Sequence, residues 1–262
     1  MLRRIRVIWI AFVSLLKETT SEPAWFVHNT AAPLIFTLVA LTFFKVSGKT
    51  EFGLLYAVFG SGVAGMWATA LFGTGNSIDD DRWQGTLEYI YVTPSRISDI
   101  IVGRALAYAL IGLGLMFEVL LLAAYIFGIP LGIANPAGFT VALVLTVISF
   151  ASIGLVFAPL FVLIKESNAY ANALEGVLFA VAGIVYPITM LPTWVHVISY
   201  ALSPTWGSEA IRTSVRLPWL PPDYFSNLLY VLIATAAYMA ISWYLFKLFE
   251  RRVREKGELG EF

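Results

Sequence analysis

Residues 99–128 read DIIVGRALAYALIGLGLMFEVLLLAAYIFG, and only Asp99, Arg104 and Glu118 among them carry charge. A helix needs roughly 20 mostly apolar residues to cross about 30 Å of hydrocarbon. This stretch exceeds that length and has no polar face to turn toward water, so its natural solvent is lipid. The rest of the chain agrees. Of its 262 residues 59% are hydrophobic and 13% charged, with a mean hydropathy of +0.79, whereas a soluble domain carries about a quarter charged residues. The same length criterion places spans at approximately 25–45, 52–75, 99–128, 138–164, 169–188 and 225–248. The expected fold is an all-α membrane protein with six transmembrane helices in one domain, 1–262.

Lysine and arginine orient it. With both termini inside, the inner side holds 13 of the 17 basic residues and the outer side only Lys45, Lys49, Arg212 and Arg216. That asymmetry is the positive-inside pattern. Ahead of the first span, Leu2, Ile5, Trp9, Phe12, Val13 and Leu16 recur at three- and four-residue steps, with Arg3, Arg4, Arg6, Ser14 and Lys17 opposite. Residues 1–21 thus read as a helix lying in the membrane interface, the alternative being a polar extension of the first span. They do not resemble a cleavable leader, since Arg3, Arg4, Arg6 and Lys17 interrupt the apolar run. Residues 249–262 form an inner tail.

Two connections stand out. The inner loop, 76–96, holds Asp79, Asp80, Asp81, Arg82 and Glu88, yet Leu87, Ile90 and Tyr91 give it an apolar face. Ser77 or Asp79 is a candidate N-cap for a short helix there, Gly85 would let another backbone approach, and Thr93-Pro94 would end it. An amphipathic helix outside the bilayer suits docking to a soluble partner; a solvated connector would not need the apolar face. The outer segment, 186–223, is rich in Pro and Trp, and Leu191, Val195, Ile198 and Leu202 repeat at helical steps. Apolar stretches too short to span read as re-entrant or interfacial helices.

The run Arg82-x-x-Gly85-Thr86-Leu87-Glu88, followed by Thr93-Pro94, resembles the inner-loop signature of the type-2 ATP-binding-cassette permease family. Tyr186-Pro187-Ile-Thr-Met-Leu-Pro192-x-Trp194, then Ser203-Pro204 and Glu209-Ala-Ile-Arg212, is similar to that family's outer re-entrant segment. Asp81 stands before Arg82 where family members often carry Glu. The resemblance implies a membrane-spanning subunit of an exporter that pairs with a second permease, identical or related. Each copy would rest on a separate nucleotide-binding ATPase subunit. The ATPase-coupling residues it implies are Asp81, Arg82, Gly85, Thr86, Leu87, Glu88, Thr93 and Pro94, and the interfacial helix would touch the ATPase too. The outer helices would cap the exit, with Glu118, Tyr186, Pro187, Pro192 and Trp194 as candidate pathway or outer-gate residues. ATP and magnesium would sit on the partner, because no G-x-x-x-x-G-K-[ST] loop occurs in this chain. Drugs, lipids and glycolipid-linked polysaccharides are all possible cargo. The expected location is the plasma or inner membrane, multi-pass, with no nucleic-acid partner.

Charges within spans have two explanations each. Glu118 is either a pathway group or a carboxyl packed between helices, since an unpaired ionised group there costs a few kcal/mol. Glu175 lies near Asn168 and Asn172 at the inner leaflet, and Arg104 is expected to snorkel inward. Ser61, Gly65 and Thr69, beside Gly60, Ala64 and Ala68, form a small-residue strip suited to close helix packing. Tyr186, Trp194, Tyr200 and Trp206 suit an interfacial aromatic belt or, less simply, sugar stacking. His28 and Asn29 are placed at the interface. An intramembrane enzyme acting on lipid or peptide is the alternative function, but with no cysteine and only His28 and His196 the chain offers no thiolate and no His-rich metal set. A channel or scaffold would leave the inner knob and outer cap without a task.

Overall fold

The computed structural model describes residues 2–21, 23–46, 50–86, 89–90, 93, 95–128, 132–163 and 177–256. Helices α1 (Leu2–Thr20), α2 (Pro23–Val46) and α3 (Thr50–Ala68) open the chain. A π turn, Thr69–Gly73, joins α3 to α4 (Thr74–Trp83) without a break. Helices α5 (Ile97–Phe127), α6 (Pro136–Leu163), α7 (Thr193–Ala201), α8 (Ser203–Arg216) and α9 (Pro222–Lys256) follow. No strand occurs among the described residues.

The long helices start and stop where local chemistry dictates. Asp99 sits in the first turn of α5, at the positive end of its dipole. The helix ends at Gly128, whose φ of 64° is left-handed and whose N–H donates to the Ala124 carbonyl. Asn135 caps α6 by accepting from the Gly138 N–H at 2.8 Å, with Pro136 at the first helical position, where its missing N–H costs nothing.

Four described helices are long and apolar enough to cross a bilayer: Tyr56–Ile78, Ile97–Ile126, Pro136–Phe161 and Pro222–Arg251. Their burial is uneven. The first is 83% buried over its apolar window and the last only 22%, so the α3–α4 rod is central and α9 peripheral. Trp67, Met66 and Leu71 of that rod meet Met116 of α5, Phe150 of α6 and Ile211 of α8 in the main core. A second cluster near the other end joins Ile78, Ile97, Ile101, Ala158, Phe246 and Phe249.

Several sequence expectations change. Of the six expected spans, four are found among the described residues: α2 offers a shorter apolar stretch, Pro33–Thr42, and residues 164–176, including Glu175, lie outside the described residues. The fifth span, expected to reach 188, stops being helical at Val181, and Gly183 turns the chain with φ 63°. The inner loop does not begin at 76, because α4 carries the helix on to Trp83. Ser77 is therefore not an N-cap. It is buried in mid-helix, and its hydroxyl donates to the Thr74 carbonyl at 2.8 Å. The small-residue strip packs as expected: an added Cβ at Gly60 would meet the Ile184 carbonyl, and one at Gly65 would meet Pro33.

Candidate functional site

The rod ends in a tightly made turn. The Gln84 N–H donates to the Asp80 carbonyl at 3.0 Å and the Thr86 N–H to the Asp81 carbonyl at 2.9 Å. Gly85 between them has φ 69° and nothing within 4 Å of an added Cβ. This is a Schellman ending, which requires a left-handed residue at the glycine position. Gly85 thus serves to stop the helix, and it also leaves that corner open to an approaching surface. Beyond the turn, the Thr93 hydroxyl donates to the Ile90 carbonyl at 2.7 Å. Ile90 packs inward on the second cluster, whereas Tyr89 is 76% exposed.

Asp81 is the fixed point of this end. It is buried, and both its oxygens accept from Arg104 of α5, Nη2 to Oδ1 at 2.9 Å. Arg104 Nη1 also donates to the Ser77 carbonyl at 2.8 Å, and the Thr86 hydroxyl donates to Asp81 Oδ1 at 3.2 Å. The expected snorkelling of Arg104 is therefore corrected: a carboxylate at its own depth on the neighbouring helix gives its fork-shaped donor set a bidentate partner. One residue before Arg104, the α5 backbone lies bare at Gly103, because a Cβ there would run into the Ile8 carbonyl and the Ala11 side chain of α1.

That contact seats α1. Arg4 reaches Asp99 through Nε at 3.0 and 3.1 Å and Nη2 at 2.7 Å. The hydrogen bonds first, and the charge of Asp99 second, push the Arg4 pKa up. With Arg4, Ile8 and Ala11 turned toward α5, Leu2, Ile5 and Trp9 face outward, each more than half exposed. Between α1, the end of α4 and α5 lies a cavity of about 420 Å³ lined by Glu18, Asp80, Gln84, Tyr89, Arg104 and Tyr108, among others.

The opposite end of the rod meets α8. Arg212 is buried and donates through Nη1 to the Ile184 carbonyl at 2.8 Å and through Nη2 to the Ser208 hydroxyl at 3.0 Å and Glu209 at 2.9 Å. Its guanidinium lies 4.2 Å above the Tyr56 ring, a cation–π geometry. Tyr200, Trp206 and Tyr230 stack at 5.2 and 4.5 Å, tying α7 and α8 to α9. The His196 Nε2–H is shared between the Ile188 and Leu191 carbonyls at 3.0 and 3.1 Å, which pins the turn before α7.

The residues singled out by sequence scatter accordingly. Asp81, Gly85, Thr86 and Thr93 belong to one end. Leu87, Glu88, Pro94 and the Arg82 side chain lie outside the described residues, as do the His28 and Asn29 side chains. Tyr186, Pro187, Pro192 and Trp194 gather near α7, where the Tyr186 hydroxyl donates to the Ala180 carbonyl and Trp194 is 73% exposed. Glu118 stands apart from both groups, half-buried in α5 with no hydrogen bond or ion pair to a described residue. Arg104, Asp99 and Tyr89 were missed. The signal for Arg104 was present: a charge at a membrane edge calls for a partner, and Asp81 ends the preceding antiparallel span.

The family model for ABC-2 type transporters matches residues 7–215, from α1 through α8. No curated protein matches the chain at a significant level.

Proposed function

Because the chain belongs to the ABC-2 type transporter family and is thereby a transport permease, we propose that it forms the membrane pathway of an ATP-driven exporter. In this reading two permeases pair, each seated on a separate ATPase subunit that binds ATP and magnesium. The chain crosses the membrane six times with both termini in the cytoplasm, the two further spans being α2 and the segment that ends at Val181. α1 lies in the inner interface, its outward Leu2, Ile5 and Trp9 in lipid and its other face on α5. Helices of nine and fourteen residues, α7 and α8, are too short to span and serve as the outer re-entrant cap.

The observation that carries the reading is the anchored turn at Asp81–Thr93. An exposed corner, with Gly85 and Tyr89 outward, is braced from behind by the Asp81–Arg104 pair and by Ile90. A surface that must receive force from a partner needs such a brace, and a solvated connector does not. Cargo is a drug, a lipid or a glycolipid-linked polysaccharide, and the membrane is the plasma or inner membrane.

The test is co-purification from native membranes in mild detergent with mass spectrometry. A stoichiometric soluble protein with a phosphate-binding loop is the expected result. Recovery of this polypeptide alone across several detergents would overturn the reading and favour an intramembrane enzyme, with Glu118 the first residue to replace.

A further inference from the structure

We propose that the π turn at Thr69–Gly73 is a hinge in the rod, and that Arg104 is the latch holding the segment beyond it, α4, against α5. The proposal rests on the permease reading only for what drives the hinge.

A π turn places one residue more than an α-helix needs between its flanks, and such turns interrupt helices chiefly at functional sites. Here both flanking residues keep ordinary helical angles, Ala68 at φ −57° and Thr74 at φ −69°, so the defect is confined to five residues of an otherwise continuous rod. It divides that rod by attachment. Before it, Gly112 of α5 lies against the Met66 backbone, and Trp67 packs edge-on to Phe150 of α6 at 5.0 Å. Beyond it, α4 packs on α6 with Gly75 against the Phe161 ring, meets α5 through Arg104, and carries Asp81 and the turn that ends in the exposed corner.

The clasp at the defect is close but made of smooth surfaces. Gly73 faces the flat ring of Tyr108, and Gly154 of α6 faces the Ala70 carbonyl. Gly154 also meets the Thr74 side chain, so the π turn sits at a close contact with both α5 and α6. Polar groups around the defect are also poorly served. Trp67 Nε1, Thr74 Oγ1, Asn76 Oδ1 and Ser149 Oγ are buried with no hydrogen-bond partner among the described residues. Buried unpartnered polar groups call for a reason, and these four bracket the π turn in sequence or across the α6 contact. Arg104 ties α4 to α5 with polar bonds to Asp81 and to the Ser77 carbonyl. On α5, Arg104, Tyr108 and Gly112 follow at four-residue steps along one face, so one stripe holds the rod below, at and above the defect.

Because the chain contains no cysteine, spin labels can be placed at will on the full-length protein in lipid nanodiscs. One pair, Gln84→Cys with Tyr244→Cys, reads the end of α4 against α9. A reference pair, Leu121→Cys with Val144→Cys, reads the body of the bundle. The wild-type background should give one narrow distance for each pair. Arg104→Gln should add a second, displaced population to the Gln84 pair alone, and Arg104→Lys, which keeps the charge, should add much less. Deleting Phe72 removes the extra residue while leaving both flanks facing their present neighbours. In the Arg104→Gln background this deletion should restore the single distance, because a regular helix has no hinge to use.

An unmoved Gln84 pair in Arg104→Gln would overturn the proposal. So would broadening of both pairs together, or a second population that survives the Phe72 deletion. Should the deletion variant not fold, the Arg104→Gln and Arg104→Lys spectra against the reference pair decide alone. No ATP or partner enters these measurements, so they stand or fall separately from the co-purification.

Discussion

Arg104 and Arg212 hold opposite ends of the same rod, roughly 38 Å apart at the helical rise between Tyr56 and Asp81, yet they do so by different means. Arg104 takes its carboxylate from another helix, and that carboxylate is itself buried, its side chain 10% exposed. Arg212 takes its carboxylate from its own helix, three residues earlier, and Glu209 is 45% exposed. Beyond its own helix, Arg212 is bound by the Ile184 carbonyl and the Tyr56 ring. At the first end the arginine joins two helices through a charge pair, at the second through a carbonyl and an aromatic ring.

Asp81→Ala should have the largest effect. It strands a guanidinium whose side chain is 19% exposed, at a cost of roughly 3 kcal/mol, read as a lower thermal midpoint in nanodiscs. Adding Arg104→Met should recover most of that loss, since no unpaired charge then remains. Gly85→Ala comes next, at about 1 kcal/mol for forcing a side chain into the left-handed region, with Gly85→Asn losing less on the same measurement. Glu209→Ala should be smallest, because Arg212 keeps the Ile184 carbonyl, the Ser208 hydroxyl and the Tyr56 ring when the half-exposed carboxylate is lost. Equal losses from Asp81→Ala and Glu209→Ala would erase the contrast between the two ends.

The sequence carried the long helices well. Spans read at 99–128 and 138–164 emerge as Ile97–Phe127 and Pro136–Leu163, because length and hydropathy alone define them. It misjudged 76–83, where three successive aspartates suggest a loop. In the fold, Asp81 is neutralised by a residue that hydropathy cannot pair with it, and the helix persists. The π turn was invisible for another reason. The rod is apolar on all sides through Leu71 and Phe72, so no polar face exists whose slippage by one position would betray an extra residue. At the site, sequence found the corner itself, Asp81, Gly85 and Thr86, but not the arginine behind it, since that pairing belongs to tertiary structure.

The glycine stop at residue 85 has an evolutionary consequence. Helical phase cannot pass through a left-handed residue, so whatever follows Gly85 is decoupled from the rotational setting of α4. The rotational setting of α4 is therefore not imposed on the stretch between Gly85 and Arg96, where α5 begins. On the proposed permease reading, substitutions there would alter partner recognition while every membrane helix keeps its register.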